Sequence, residues 1–296
     1  MGWQLNIVRI GKKEISESSP TYLIAEIGIN HNGDLKIAKN LILEAFKAGF
    51  DAVKFQKRTI EIVFSPEELA RPRESVFGKT NGELKYVLEF SFNDYAEIDR
   101  YCKEVGIDWF ASPWDLASLE FLESFDVVAH KVASACLTDS KLLQEMKKTN
   151  KPVILSTGMS TLDQINTAIS YLNPDRTILM HAVSVYPATN EQLNLNWIEE
   201  LKRNFPSIPV GYSGHEAGVI PSVIAVAKYG AVCVERHITL DRSMWGSDQS
   251  ASLEPDGMTR IVKYIRNIPI ASGTGPKRVL IEEIPIQEKL RRVKDF

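Results

Sequence analysis

The chain has 296 residues, of which 44% are hydrophobic and 25% charged, a composition typical of one globular domain and unlike that of disordered or fibrous proteins. Its net charge of −3 at pH 7 argues against a nucleic acid or an acidic membrane surface as partner. No apolar run approaches the roughly 18 residues of a membrane span, and residues 1–19 lack the apolar core of a signal peptide. Three widely spaced cysteines indicate reduced thiols, so we expect a cytoplasmic protein.

From residue 20 onward, short β-type runs alternate with amphipathic helical segments. Before them, residues 5–15 contain a turn-like Gly11–Lys12 pair and predict, within residues 1–19, a hairpin that closes the bottom of the fold. The predicted strands are residues 22–27, 51–56, 108–112, 127–134, 152–157, 177–182, 209–213 and 231–237. The helical patterns between them cover residues 34–48, 94–105, 140–149, 162–172, 197–204 and 220–228, and Thr161 with Gln164 predicts a capping box.

Eight strand–helix units without a glycine-rich dinucleotide motif predict an α/β fold, namely a closed (β/α)8 TIM barrel that forms a single domain over residues 1–296. Residues 57–93 follow the second strand and are too long for an ordinary connection, so we interpret them as an active-site loop. Residues 281–296 predict a final charged helix with no further domain after it.

Polar residues collect at the carboxyl ends of the predicted strands. They are Glu26, Lys54, Gln56, Ser112, Lys131, Ser134, Ser156, Thr157, His181, Ser213, His215, Glu235 and His237. Strands of a barrel are buried on both faces, so polar side chains there are costly unless they are paired or functional. Because side chains alternate along a strand, Lys54 and Gln56 share a face, as do Glu235 and His237. Catalytic residues of barrel enzymes come from this rim.

These residue types indicate two kinds of chemistry. Two lysines with several hydroxyls describe a pocket for a phosphate or a carboxylate. His215 and His237 close consecutive strands and predict a catalytic metal site with open positions for water and substrate. Glu26 or Asp248 would bind, orient or deprotonate a metal-bound water.

A structural role competes with each of these interpretations. A single lysine or histidine at a strand end is more often an ordinary hydrogen-bonded residue, and only the pairs favour function. His130 is adjacent to Lys131 and should point outward against a helix. His31 lies in the loop after the first strand and fits either role, whereas His181 would line the floor of the site.

Eight motifs in this order resemble the sialic acid synthases and their relatives that make legionaminic, pseudaminic and related nonulosonic acids. They are AEIGINH at 25–31, VKFQ at 53–56, KVAS at 131–134, LSTGM at 155–159, GYSGH at 211–215, ERHITLD at 235–241, GSD at 246–248 and SLEP at 252–255. The resemblance covers residues from about 20 to 257.

The resemblance implies a transferase of carbohydrate biosynthesis that joins phosphoenolpyruvate to a sugar aldehyde such as N-acetylmannosamine, giving a nonulosonic acid and phosphate. It implies a divalent cation, Mn²⁺ before Mg²⁺ or Co²⁺, on His215 and His237, with Glu26 handling the metal-bound water. It further implies a homodimer. Phosphoenolpyruvate would be held by Lys54, Ser112, Lys131, Ser134, Ser156 and Ser213. The sugar would be held by Gln56, Asn81, Tyr186, Glu235 and Asp248.

The sequence departs from the family pattern around the sugar. Family members commonly continue into an antifreeze-like domain, which we do not expect after Phe296. Ser184 stands where asparagine is frequent, and Trp245 is bulkier than the residues common at its position.

Three other functions stay open at this stage. A 3-deoxy-ulosonate-phosphate synthase would need a cationic site for the phosphate of its acceptor, and only Arg71 and Arg73 in the long loop offer one. A metal-dependent hydrolase is disfavoured because only His31 follows the first strand. A non-catalytic phosphoenolpyruvate-binding homologue is disfavoured by the full set of rim residues.

Overall fold

The structure is a computed structural model that describes residues 7–293. The strands are β1 Val8–Ile10, β2 Lys13–Ile15, β3 Tyr22–Gly28, β4 Ala52–Lys57, β5 Pro72–Ser75, β6 Gly78–Thr80, β7 Asp108–Pro113, β8 His130–Val132, β9 Val153–Ser156, β10 Thr177–Ala182, β11 Val210–Gly214 and β12 Cys233–His237. The helices are α1 Leu35–Ala48, α2 Ile60–Val63, α3 Pro66–Ala70, α4 Asn81–Val87, α5 Phe92–Val105, α6 Leu116–Glu123, α7 Ser140–Lys148, α8 Leu162–Ser170, α9 Trp197–Asn204, α10 Ile220–Ala227, α11 Pro255–Ser272 and α12 Ile284–Leu290.

Eight parallel strands close into a barrel in the order β3, β4, β7, β8, β9, β10, β11, β12 and back to β3. The predicted (β/α)8 TIM barrel is therefore confirmed. All seven residues of β3 and all five of β12 are buried, as expected where helices cover a barrel outside and side chains fill it inside. The register places Glu26 beside Lys54 and Ser213 beside Glu235, which brings the polar rim residues of neighbouring strands together.

The hairpin of β1 and β2 lies against the amino-terminal ends of the barrel strands. Lys13 forms an ion pair with Asp51, which directly precedes β4, and Gly11 packs close to Asp108 at the start of β7. The hairpin predicted to close the barrel bottom is confirmed for residues 8–15. Residues 1–6, the beginning of that prediction, lie outside the described residues.

Local sequence signals set the helix ends. The Asp34 side chain accepts hydrogen bonds from the first backbone amides of α1, and Gly49 ends the helix in the left-handed region at φ 91°. Thr161 and Gln164 form the predicted capping box of α8. Helix α1 buries Ala38, Leu41, Ile42 and Ala45, whose spacing defines a single helical face against the barrel.

Four regions differ from the sequence prediction. Strand β8 has three residues because the chain turns into a short 3-10 helix at Ser134. Helices α6 and α11 were not predicted. The chain of α6 is apolar around most of its circumference and so lacks a clear helical period. The segment 57–93 is a small cap with α2, α3, the β5–β6 hairpin and α4, rather than an irregular loop.

The described chain forms two compact units, one ending at Arg266 and one beginning at Asn267. The second unit contains α12, shorter than the helix predicted for 281–296, and exposes Ile281 and Leu290. Residues 294–296 lie outside the described residues. No helix among residues 7–293 combines the length and apolar character needed to cross a membrane.

Candidate active site

A cavity of about 280 Å³ opens at the carboxyl ends of the barrel strands. Its walls come from all eight strands or the turns that follow them. The lining residues are Glu26, Lys54, Gln56, Ser112, Trp114, Lys131, Ala133, Ser134, Ala135, Ser156, Met159, Ser184, Tyr186, Ser213, His215, Glu235 and His237. Every rim residue predicted to contact phosphoenolpyruvate is among them.

The floor of the cavity is a buried network of two lysines and two glutamates. Lys54 Nζ lies 2.7 Å from Glu26 Oε2 and 3.6 Å from Glu235 Oε1, and Lys131 Nζ lies 3.9 Å from the same Glu235 atom. All four side chains are at most 6% exposed. Glu235 Oε2 has no hydrogen-bond partner among the described residues. Buried polar groups are normally satisfied, so this network has capacity for a ligand.

Hydroxyl groups surround the two ammonium groups. Lys54 Nζ donates to Ser112 Oγ at 3.2 Å, and Lys131 Nζ donates to Ser156 Oγ at 2.5 Å. Ser213 Oγ donates to Glu235 Oε1 at 3.2 Å. Ser134 faces the backbone of Gly158, where even an added methyl group would lie 2.7 Å from the hydroxyl. Two cations and four hydroxyls in one concave surface match the donors that a phosphate or carboxylate requires.

Burial and neighbouring charges shift the pKa values of the two lysines in opposite directions. Burial acts to lower the pKa of Lys54, but the carboxylates of Glu235 and Glu26 outweigh it and hold that pKa above its usual value. Burial lowers the pKa of Lys131 to about 8, because its nearest carboxylate is more distant. Of the two lysines, Lys131 therefore has the less compensated charge, and an incoming anion would interact more favourably with it than with Lys54.

His215 presents one ring nitrogen to the cavity in a fixed orientation. Its Nδ1 donates to the Val183 carbonyl at 2.6 Å, which leaves Nε2 as an acceptor facing the Tyr186 hydroxyl at 3.0 Å. Burial, followed by the nearby His237, lowers the pKa of His215 to about 3, so the imidazole is neutral at physiological pH. A neutral ring fixed by a backbone carbonyl is the usual state of a metal-binding histidine.

His237 lies beside His215 with the ring centroids 5.6 Å apart. Its Nδ1 is buried without a hydrogen-bond partner among the described residues and lies 3.8 Å from Asp248 Oδ2. The two rings therefore lie next to each other in the cavity that the two lysines also line. No group of three or more His, Cys, Asp or Glu side chains within residues 7–293 forms a complete metal site.

Gly28 lies between the imidazole of His237 and the carboxylate of Glu26. It has φ 55°, and a Cβ there would lie 3.1 Å from Glu26 Oε1, 3.3 Å from Gln56 Nε2 and 3.4 Å from His237 Cε1. Gln56 donates to Glu26 Oε1 at 2.8 Å, which orients that carboxylate towards the space above the glycine. The absence of a side chain keeps the three functional groups within reach of one small reactant.

A second buried ion pair lies on the outer face of the same strands. Arg236, between Glu235 and His237, reaches Glu216, which follows His215, at 2.9 Å, and both side chains are at most 1% exposed. Glu216 also accepts from Tyr212 Oη at 2.7 Å, and Arg236 donates to the Gly218 carbonyl at 2.7 Å. We call the Arg236–Glu216 ion pair the outer clamp. It links the residue before His237 to the residue after His215.

Not every predicted residue reaches the cavity. Asp248 does not line it but lies beside His237. Asn81 lies in the 57–93 cap, where its amide oxygen accepts from Arg73 at 3.3 Å and its amide nitrogen donates to the Glu68 carbonyl.

Three histidines lie outside the site. His181 was expected on the floor of the site, but its Nε2 faces the Leu193 carbonyl at 2.7 Å, outside the barrel wall. His130 contacts Glu123 of α6 at 2.8 Å, confirming its outward, structural position. His31 stacks on Phe90 with the ring centroids 4.0 Å apart, and it accepts from the Gly33 amide, which indicates a structural role.

Two residues beside the cavity were missed from the sequence. Trp114 lines it, and the guanidinium of Arg58 lies 4.4 Å from the centre of the Trp114 ring. Arg58 also donates to Gln56 Oε1. Both lie two positions after a predicted rim residue: Arg58 follows Gln56, and Trp114 follows Ser112. Extending the two-residue strand period one step past the strand end would have found both.

A larger cavity of about 610 Å³ lies between α8 and α9 and shares Met159 and Ser184 with the first. Apolar side chains such as Leu162 and Ile165 form most of its wall, and its charged member is Glu200. Hydroxyl groups such as those of Ser160 and Thr161 line it, but no lysine or arginine among the described residues does, so it offers no cation to an anionic reactant. The smaller cavity at the barrel mouth is therefore the candidate active site.

Fold and cavity together define a class: barrel enzymes that place an anionic substrate at the carboxyl ends of their strands. The NeuB family model matches residues 41–277 of this chain, and the chain belongs to that family. It is 43% identical to human N-acetylneuraminate-9-phosphate synthase over 92% of this chain and 76% of that protein. It is 34% identical to N,N'-diacetyllegionaminic acid synthase of Legionella pneumophila over 95% of this chain and 82% of that protein.

A solved structure supports the same assignment. The sialic acid synthetase of Leptospira borgpetersenii, crystallised in complex with citrate, superimposes with a TM-score of 0.82 at 30% identity. The match covers 97% of this chain and 98% of that chain. This chain is thus a transferase of the nonulosonic acid synthase type, which condenses phosphoenolpyruvate with a sugar.

Proposed function

We propose that this chain joins phosphoenolpyruvate to the aldehyde of an N-acetylated hexosamine of the N-acetylmannosamine type, with cleavage of the C–O bond to phosphate. The observation that carries the proposal is one cavity lined both by two buried lysines and by two adjacent imidazoles. An anion beside the lysines and an aldehyde near the imidazoles would then meet above Gly28.

Phosphoenolpyruvate would bind through Lys54, Lys131 and the surrounding hydroxyls. Among the described residues the nearest carboxylate to Lys131 is that of Glu235 at 3.9 Å, against 2.7 Å from Lys54 to Glu26, so the charge of Lys131 is the more available to the substrate. Four serine hydroxyls of the cavity wall would donate further hydrogen bonds to the substrate, namely those of Ser112, Ser134, Ser156 and Ser213. Each ammonium group also offsets the negative charge that builds up on the departing phosphate, which is where preorganised donors accelerate a reaction most.

His215 and His237 would hold a divalent cation, for which we propose Mn²⁺ ahead of Mg²⁺ or Co²⁺. The donor set fits such an ion because both rings face the cavity, the pKa of His215 is lowered to about 3 by burial, and His237 Nδ1 has no hydrogen-bond partner among the described residues. When bound, the cation supplies Lewis-acid polarisation of the aldehyde oxygen.

The chain's own groups account for the remaining steps. The C3 carbon of phosphoenolpyruvate forms a bond to the aldehyde carbon, and the aldehyde oxygen becomes a hydroxyl. Water then adds to C2, and the C2–O bond breaks as a C2 carbonyl forms and inorganic phosphate leaves. Of the two protons of that water, one ends on the former aldehyde oxygen and the other on the phosphate. Glu26 is positioned to accept the proton of that water, since Gln56 orients its carboxylate over the open space at Gly28.

The acceptor sugar would contact the rim on the imidazole side. Gln56, Tyr186 and Glu235 line the cavity there and offer amide, hydroxyl and carboxylate groups to sugar hydroxyls. Asp248 is close to His237 and adds a fourth contact. We retain Asn81 only as a contact that requires the cap to move, because its amide is bonded within the cap.

We further propose a homodimer that works in the cytoplasm. All three cysteines, Cys102, Cys136 and Cys233, are buried free thiols, which supports a reducing compartment. The dimer rests on the resemblance to the family, and sedimentation analysis tests it.

Phosphate release from phosphoenolpyruvate tests the reaction. With Mn²⁺, Mg²⁺ or Co²⁺ and a panel of N-acetylmannosamine, mannose, diacetamido hexoses and arabinose 5-phosphate, we expect release that depends on an N-acetylated hexose and stops with a chelator. Phosphoenolpyruvate carrying ¹⁸O in its bridging position should transfer the label to phosphate. Label retained in the sugar acid would contradict C–O cleavage, and binding without release under any condition would indicate a non-catalytic homologue.

A further inference from the structure

Arg58, near the start of the 57–93 cap, is held beside the active cavity by three partners. Its guanidinium group lies 4.4 Å from the centre of the Trp114 ring, which lines the cavity. Nη1 donates to Glu89 Oε1 at 3.3 Å, and the backbone amide of Arg58 donates to the other oxygen of that carboxylate at 3.1 Å. Nη2 donates to Gln56 Oε1. A buried side chain with partners on three sides has a fixed position.

Gln56 connects Arg58 to Glu26. Its amide oxygen accepts from Arg58, and its amide nitrogen donates to Glu26 Oε1 at 2.8 Å. A glutamine side chain has several rotatable bonds, so a hydrogen bond at one end of the amide leaves it free to turn, whereas hydrogen bonds at both ends hold it. The cation at the amide oxygen also polarises the amide, which strengthens its donation to the carboxylate.

Arg58 further determines which end of the amide faces Glu26. Arginine can only donate, so the amide atom that faces it has to be the oxygen, and the nitrogen then faces the carboxylate. An ionised Glu26 favours the same orientation. Once Glu26 has accepted a proton, its new O–H group could donate to a glutamine oxygen, and a freely turning Gln56 would reverse. With Arg58 in place, Gln56 donates to Glu26 in both protonation states.

We propose that Arg58 is a positioning residue that acts through Gln56 on the carboxylate of Glu26. The inference rests on the proposed function, in which Glu26 accepts a proton from the water that adds to C2. That carboxylate is restrained on both sides, since Gln56 donates to Oε1 and Lys54 Nζ lies 2.7 Å from Oε2. Without Arg58 the first of these two restraints becomes loose, and the carboxylate is less often aimed at the space above Gly28.

Neutralisation of Glu89 is the competing explanation for Arg58. Lys57 Nζ lies 3.2 Å from Glu89 Oε2, so that carboxylate already has a second cation. Side chains alternate along β4, and Lys57 accordingly points outward, 5.0 Å from the centre of the Phe121 ring of α6. Of the two cations, Arg58 is the one that contacts Gln56. They form a matched pair for mutation, because removal of either leaves Glu89 with a partner.

Kinetics of the two matched variants test the inference. We measure phosphate release at saturating acceptor and Mn²⁺ for Arg58→Met and Lys57→Met, with urea unfolding to check that both fold. We expect Arg58→Met to lower kcat by about tenfold, as for loss of a hydrogen bond to a charged group, and to change the KM of phosphoenolpyruvate by less than about twofold. Lys57→Met should retain the wild-type kcat. Arg58→Lys, whose ammonium group also only donates, should keep most of it.

A double-mutant cycle determines whether Arg58 acts through Gln56. Gln56→Met should lower kcat at least as much as Arg58→Met does, and adding Arg58→Met to Gln56→Met should lower it no further. Losses that multiply in the double variant would overturn the inference. A normal kcat in Arg58→Met or in Gln56→Met would also overturn it, as would an equal loss in Lys57→Met.

The side-chain amide of Gln56 gives a readout that does not depend on turnover. In protein labelled with ¹⁵N-glutamine, Gln56→Met assigns the NH₂ signals of this residue. Arg58→Met should move these signals towards those of a solvent-exposed glutamine, while Lys57→Met should leave them in place. Unmoved signals in Arg58→Met would overturn the inference even if kcat falls. Absence of phosphate release with every aldose in the wild type would instead contradict the proposed function, and the amide signals would then still decide whether Arg58 holds Gln56.

Discussion

The two buried ion networks at the barrel mouth differ in how well they are satisfied. On the outer face, Glu216 pairs with Arg236 at 2.9 Å and accepts from Tyr212, so its charge is compensated. On the inner face, Lys131 has no carboxylate closer than 3.9 Å, and Glu235 Oε2 has no partner among the described residues. The same strands therefore carry an outer ion pair whose two charges neutralise each other, although Arg236 Nε has no partner among the described residues, and an inner network in which the charge of Lys131 is poorly compensated. We interpret the first as structural and the second as a substrate site.

Loss of Lys131 should have the largest effect on catalysis. A unit charge pair at 4 Å is worth about 4 kcal/mol at an effective dielectric constant near 20, so Lys131→Met should lower kcat/KM by about three orders of magnitude. Phosphate release measures this, and urea unfolding of the same variant should show little loss of stability. Near-normal turnover would mean that the inner network does not bind the substrate anion.

Neutralising Glu216 should instead destabilise the fold. Glu216→Gln leaves the fully buried Arg236 uncompensated, which should lower the free energy of unfolding by about 3 kcal/mol in urea titrations. Glu145→Gln is the control, because its pair with Lys148 is exposed and should contribute under about 1 kcal/mol. If both variants lower the free energy of unfolding by a similarly small amount, the buried pair of Arg236 and Glu216 contributes no more to stability than an exposed ion pair.

The pH dependence should distinguish the inner network from the outer one. Burial lowers the pKa of Lys131 to about 8, so its charge, and with it kcat/KM, should fall as the pH rises above that value, by about tenfold per unit. Stability should change in the opposite direction. Between this pKa and the unfolded value of 10.5 the unfolded chain binds more protons, so this lysine makes the free energy of unfolding rise with pH.

The matched variant for that profile is Lys131→Arg. Arginine stays protonated over the whole accessible pH range. The activity that remains in this variant should therefore not show the fall of kcat/KM at high pH. If kcat/KM of this variant still falls at high pH as in the wild type, the fall is caused by a group other than Lys131.

The Tyr186 hydroxyl should have the smallest effect. Its hydrogen bond to His215 Nε2 is 3.0 Å long, and a neutral hydrogen bond contributes about 1 kcal/mol. We expect Tyr186→Phe to raise the KM for the acceptor about fivefold and to leave the unfolding free energy unchanged. A raised KM for phosphoenolpyruvate with an unaltered acceptor KM would place this residue on the other side of the site.

The strand period and the rim rule predicted the parts of the site that strands carry. Lys54 and Gln56, like Glu235 and His237, point into one cavity because side chains alternate along a strand and the barrel aligns the strand ends. Loop residues do not obey that period. Asn81 lies outside the cavity because the path of a connection depends on tertiary packing. His181 is a strand residue of β10 that points away from the cavity, because a position near a strand end does not by itself say which of the two strand faces a side chain takes. The pairing of Arg236 with Glu216 likewise joins positions that no sequence period relates.

The bare backbone at Gly28 limits how this enzyme can be altered. A methyl group at that position would be strained at φ 55° and would fill the space shared by the carboxylate, amide and imidazole around it. Redesign of the acceptor range has to begin in the cap and in the segment that carries Trp245, whose contacts can be changed without touching the reacting atoms. The floor of the barrel allows no comparable freedom, since one added carbon there would block the reaction while every catalytic group remained present.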